Sequence, residues 1–299
     1  MSALTLASAG GAQMGSVDVP MPETLVGNPL VEEWNTPYDT PPFAEIELAH
    51  YEPAIDYAIA VNRAEIDAII NNEEPATFDN TIVAMEQAGS LLSRVSGVFF
   101  VLNNCMTSPE MQQIAMNVTP KLTELSNDVS LNPELFARVK SVYENRKKFK
   151  LDTEDMQLLE DTYKSFARSG ALLEGEAREL YRQYTTELSQ LTLEFGQNAL
   201  AATNNFSLNI TDEKKVEELP DFVKDGMAAE AKARGEQGWT LTLHAPSYVP
   251  FMTYSSQRDI KVYAEIYKDK NCWSLPQRSG LLVASSRRTR YRSEGPRIR

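Results

Sequence analysis

The side chains best suited to chemistry in this chain are few and scattered. There are two histidines, His50 and His244, and two cysteines, Cys105 and Cys272. A zinc site built on one helix needs two imidazoles one turn apart, in a His-Glu-x-x-His string. His50 is followed by Tyr-Glu-Pro and His244 by Ala-Pro-Ser, so neither begins that spacing. Each histidine is therefore expected to cap a helix or to sit satisfied in a loop, and no residue is assigned as a metal ligand. Cys105 follows the apolar run Val98 to Leu102 and reads as a small buried or half-buried hydrophobe, not a reactive thiol. The adjacent acids Glu32 with Glu33, Glu73 with Glu74, and Glu160 with Asp161 offer general acid and base chemistry in principle. In an acidic helical chain such pairs are expected as solvated faces or caps.

Other catalytic strings are missing. The sequence contains no Gly-x-Ser-x-Gly elbow, no Gly-x-x-x-x-Gly-Lys phosphate loop and no Gly-x-Gly-x-x-Gly. Tyr181, Tyr184 and Phe195 are spaced to line a ligand slot, but core packing accounts for them more simply. Asn117-Val-Thr, Asn205-Phe-Ser and Asn209-Ile-Thr match the glycosylation triplet, which matters only in a eukaryotic secretory setting. No catalytic residue is assigned, and the substrate-binding residues stay open.

Composition limits the partners. At 299 residues and 42% apolar content the chain can bury a sizeable core. A net charge of −13 argues against nucleic acid as partner of the whole chain. The charge is uneven: Cys272 to Arg299 carries seven Arg and one Glu, a surplus of +6, leaving −19 on residues 1–271. Two cysteines cannot build a disulfide framework, and no apolar run is long enough for a transmembrane helix.

The elements that would have to position a site are nearly all helical. Glu176 to Thr203 is the longest unambiguous amphipathic stretch. Ala177, Tyr181, Tyr184, Leu188, Leu191, Phe195, Asn198 and Ala202 share one face, and that face is expected to be buried as the spine of the fold. Helices are also expected over His50–Ile70 and Asp79–Asn103, the latter as one piece. Ser108-Pro109-Glu110 and Asn132-Pro133-Glu134 each join a capping residue, a first-turn proline and an early acid, so two helices start there, the first kinked at Pro120. Asp152 or Thr153 caps another, which ends before Gly170. Phe206–Ile210 and Trp239–Leu243 alternate and should pair as a ribbon, with a helix over Leu219–Arg234 between them. Pro246 and Pro250 mark a loop before a last helix near Ser256. Met14 to Pro42 holds six prolines and reads as an extended arm, fastened by Trp34, Tyr38 and Phe43.

Read as strings, Trp34-Asn-Thr-Pro-Tyr-Asp-Thr-Pro-Pro-Phe43, Ser93-Arg-Val-Ser-Gly-Val-Phe-Phe100, Phe166-Ala-Arg-Ser-Gly-Ala171, Leu188-Ser-Gln-Leu-Thr-Leu-Glu-Phe-Gly-Gln-Asn198 and Pro246-Ser-Tyr-Val-Pro-Phe-Met-Thr-Tyr254 are similar, in order and spacing, to the N-terminal half of bacterial peptidyl-dipeptidases. These stand with oligopeptidase A and thimet oligopeptidase. The resemblance covers about residues 28–260. It implies an all-α, multi-helix array with one small ribbon, the N-terminal part of a clamshell-shaped zinc metallopeptidase that hydrolyses short peptides in a channel. It also implies a cytoplasmic enzyme, or a periplasmic one if Met1–Gln13 is the remnant of a signal peptide.

In that family two His and a Glu hold zinc and a second Glu activates water, all beyond the span matched here. No position of this chain corresponds to them, so the chain is expected to lack the zinc site, to be inactive alone, and to pack against a C-terminal catalytic half. From about 261 to 299 the resemblance stops. Cys272 onward is rich in Arg and Ser and contains Trp273, but no Asp, Phe or Lys, as expected from a shifted reading frame. The expected organisation is thus a tail over 1–27, the helical region 28–260 and a frameshift-derived basic tail 261–299. The competing reading is a non-catalytic helical protein that binds peptides or another partner and carries a genuine basic tail.

Overall fold

A computed structural model describes residues 17–273. Met1–Gln13 and the Arg-rich stretch after Trp273, on which the signal-remnant and shifted-frame readings rest, lie outside the described residues. The described chain is mainly helical, with a single two-stranded sheet among those residues, as expected. It forms two compact units, one ending at Thr192 and one beginning at Leu193.

The first unit is built on α1 (Leu48–Ile70), which packs on α3 (Ser90–Cys105) and α4 (Pro109–Ser130). Beyond them α5 (Pro133–Glu144) packs on α6 (Thr153–Arg168). Ile66 and Ile69 of α1, Leu135 and Val139 of α5 and Leu159 and Phe166 of α6 meet in one buried cluster. The helix starts follow the capping chemistry. The Ser108 hydroxyl accepts from the Met111 amide, the Asn132 side-chain carbonyl from Glu134 and Leu135, and the Asp152 carboxylate from Glu154 and Asp155. Because Asn132 satisfies two of α5's free amides, Asn132→Ala is expected to lower the first unit's stability by about 1 kcal/mol in urea titration. A change under about 0.2 kcal/mol would show that solvent caps this helix equally well.

Several expectations need correction here. Asp79–Asn103 is not one helix: a π turn over Phe78–Val83 and a short α2 (Ala84–Gln87) precede α3, with Gly89 at φ +76 between them. The Gly89 amide donates to Glu65 of α1 at 2.7 Å, and a Cβ there would press into the Asn62 amide at 2.7 Å. Close approach of the turn to α1 therefore breaks the helix. The arm is not fastened by Tyr38, which is 98% exposed on a turn where Tyr38 and Asp39 both have positive φ. Phe43 is also more than half exposed. What holds the arm is the burial of Leu25 and Leu30, together with Arg94 of α3. Its guanidinium donates to the Leu30 and Val31 carbonyls and lies 4.9 Å from the Trp34 ring centre.

The third correction concerns the spine. α7 (Gly175–Asn205) is there, about 46 Å long at 1.5 Å per residue, but none of its residues is buried. Tyr184 and Leu188 are more than half exposed, and Tyr181, Leu191 and Phe195 are half-buried. Periodicity identifies an apolar face; it does not supply the surface that covers it.

The second unit holds β1 (Leu208–Ile210) and β2 (Trp239–Leu241), antiparallel in the register Leu208 with Leu241 and Ile210 with Trp239. α8 (Asp221–Ala233) packs on β2, and Phe206, Val216, Met227, Leu241 and Phe251 share a core. Pro246 and Pro250 do not mark a loop. They lie in α9 (Ala245–Tyr254), Pro246 in the first turn where no amide is needed, and burial of Phe251 holds the segment helical. The last helix, α10, runs Arg258–Trp273. Glu218 accepts from the Ser256 amide and the Ser255 hydroxyl just before α10, and these bonds hold its carboxyl below the usual range.

Candidate functional site

His50 lies three residues into α1, and its Nδ1 accepts from the Glu47 amide at 3.0 Å while the Glu47 side chain accepts from the His50 amide. It is a capping group, as the sequence suggests. His244 stands exposed just ahead of α9, where its backbone carbonyl accepts from Ser247 and Tyr248. No group of three or more His, Cys, Asp or Glu side chains able to hold a metal occurs among the described residues. The acidic pairs are surface devices. Glu32 accepts from the Gly27 amide, Glu160 pairs with Lys164 one turn on, and Asp161 accepts from Gln157. Asn117 is exposed on α4 and donates to Glu52 of α1.

Cys105 departs from its expected place. It is exposed at the C-terminal end of α3, beside Met106 at 75% exposure. The apolar run before it faces inward only at Val98 and Phe99, and the helix ends before Cys105 can be covered.

Beside this helix end is an open apolar hollow of about 560 Å³, lined by Phe43, Leu48, Tyr51, Leu102, Met106 and Met111. Burial raises the Tyr51 hydroxyl above the ordinary tyrosine value. The Ser108 hydroxyl at its rim is committed to the cap and to Glu110, so no activated nucleophile faces the hollow. Its linings come from the arm, α1, α3 and α4, far apart in sequence, and the only local signal is an exposed methionine after a helix. A second open hollow, about 630 Å³, is lined by residues of α7 alone, among them Glu176, Glu179, Arg182 and Glu187. It is a helix face, not a cleft.

Asp128 of α4 joins three helices. One carboxylate oxygen accepts from Arg182 of α7 at 2.5 Å and the other from Arg63 of α1. Its neighbour Asn127, only 4% exposed, accepts from the Thr185 hydroxyl of α7 at 2.9 Å. Burial raises the Asp128 carboxyl, but the hydrogen bonds from Arg182 and Arg63 outweigh it and hold the group below the usual carboxylate range. The partners are separated by 54 and 65 residues, so no motif could have paired them. Nothing in this arrangement joins a nucleophile to a base. It ties α1, α4 and α7 to one another.

No family model matches the chain. Among known proteins it is similar to dipeptidyl carboxypeptidase of Escherichia coli, with 37% identity over 220 residues, 72% of this chain and 32% of that protein. It resembles oligopeptidase A of Escherichia coli at 27% identity over 241 residues, covering 81% of this chain and 35% of the relative. The organellar oligopeptidase A of Arabidopsis thaliana matches at 27% over 253 residues, 82% of this chain and 31% of the relative. The chain thus spans about a third of the length of the curated relatives it matches.

Proposed function

Because the chain belongs with the dipeptidyl carboxypeptidases and oligopeptidases A across about a third of their length, we propose that it forms part of the helical framework of a zinc peptidase acting on short peptides. In this reading it carries none of the residues that hold zinc or activate water. It works only when packed against the remaining catalytic part. One observation carries the reading: a peptidase-type sequence over 220 residues stands beside just two histidines, one of which caps a helix through its Nδ1. In this reading the imidazoles that a three-ligand zinc site with an open position needs come from polypeptide outside the matched span.

The uncovered faces support the same reading. Tyr184 and Leu188 of α7 and Val101 and Met106 of α3 leave apolar surface in water, as expected of a body that packs against more polypeptide. The test is metal content. After dialysis against zinc and then buffer, the purified protein is expected to hold well under one zinc per chain by atomic absorption. One tightly held ion per chain would overturn the proposal.

A further inference from the structure

Within the first unit, α7 is attached in an unusual way for a 31-residue amphipathic helix. It buries no side chain, and Leu180, Tyr184 and Leu188 remain 39%, 57% and 54% exposed. Burial of apolar area over 175–192 is only partial, from the half-buried Tyr181 and Leu191. Its cross-links are polar and converge on two adjacent residues of α4: Arg182 donates to Asp128, and Thr185 donates to Asn127. Asp128 in turn receives Arg63 from α1, so a single carboxylate joins three helices.

We infer that Asp128 is an ionic latch, and that neutralising this one carboxylate releases residues 175–192 of α7 while α1, α4, α5 and α6 stay folded. Two features make the helix poised to leave. The charged groups facing Asp128 are Arg63 from α1 and Arg182 from α7. With the carboxylate charged, they are bridged; with it neutral, two guanidiniums are left side by side and repel. Asn127 adds a second bias, because its buried Nδ2 has no hydrogen-bond partner while α7 is docked. Opening admits water to that amide and offsets part of the lost bonding. The core cluster that holds α1, α5 and α6 together includes no residue of α7, so the rest of the unit does not depend on the latch.

The sign of the pH dependence follows. A carboxyl held below its ordinary range keeps the latch fully closed above that range and lets go as pH falls through the lowered value. At neutral pH the latch is closed, and salt weakens it because the pair is partly exposed.

The test compares Asp128→Asn and Arg182→Gln with the parent in the full 299-residue chain. Amide hydrogen exchange over residues 175–192 and tryptic cleavage after Arg178 are measured together. Either variant is expected to accelerate both by about fivefold to tenfold, the lower figure reflecting solvent screening of a partly exposed pair. Exchange in α5 and α6 should stay at the parent rate. The double variant should be no faster than Asp128→Asn alone, within about twofold, since Asp128→Asn already removes the ion pair with Arg182. Arg182→Gln leaves the Arg63–Asp128 pair intact, so it remains informative if Asp128→Asn fails to fold. Unchanged α7 exchange in Arg182→Gln, or acceleration spread evenly over α1 and α4 to α6, would overturn the latch.

Discussion

Peptide cleavage by the purified 299-residue chain is expected to stay at the buffer rate, with zinc added or withheld. A zinc peptidase lowers the barrier by polarising the scissile carbonyl and by making hydroxide available at neutral pH, and both effects need the ion in place. Enzymes of this power gain roughly a millionfold or more, so removing the metal site leaves nothing that a routine assay detects. Among the described residues no three His, Cys, Asp or Glu side chains stand together as a ready ligand set. His50 is committed to the Glu47 amide, Glu160 to Lys164 and Asp128 to two arginines. The measurement is release of dipeptides from N-blocked peptides, read by mass spectrometry with and without chelator. Chelator-sensitive turnover that co-purifies with the 33.5 kDa species would sink the prediction.

The second large effect is a contrast between two leucines. Leu135 is fully buried in the cluster shared by α1, α5 and α6. Leu135→Ala removes its contacts and leaves a cavity, with an expected loss of about 2–5 kcal/mol, a large share of a domain's roughly 5–15 kcal/mol. Leu188, on the face of α7 that periodicity alone would bury, is 54% exposed, and Leu188→Ala should stay within about 0.5 kcal/mol. Denaturant unfolding of both variants checks the pair, and hydrogen exchange localises the loss to the first unit. Equal destabilisation by the two substitutions would mean that the α7 seam is covered in solution.

Local chemistry explains which features were legible in the sequence. Ser108, Asn132 and Asp152 cap their helices because a short acceptor before an early acid solves the same problem in any context. The ribbon was legible for the same reason, since alternation fixes both strands, although three residues of each pair. What escaped depends on distant partners. Gly89 breaks a helix because Asn62 and Glu65 lie beneath it, and α9 stays helical through Pro250 because Phe251 has a core to enter. Cys105 is exposed because its helix runs out. The Asp128 junction and the hollow at Met106 assemble only in three dimensions.

The proline-rich arm carries a practical consequence. Leu25 and Leu30 are almost wholly enclosed, Asn28 donates to the His50 carbonyl, and Tyr57 of α1 donates to the Val19 carbonyl. Trimming the polypeptide to begin at α1, a natural choice when prolines suggest a dispensable leader, would therefore unroof the helix pair beneath. A handle for immobilisation belongs ahead of Val17, where it leaves these anchors alone.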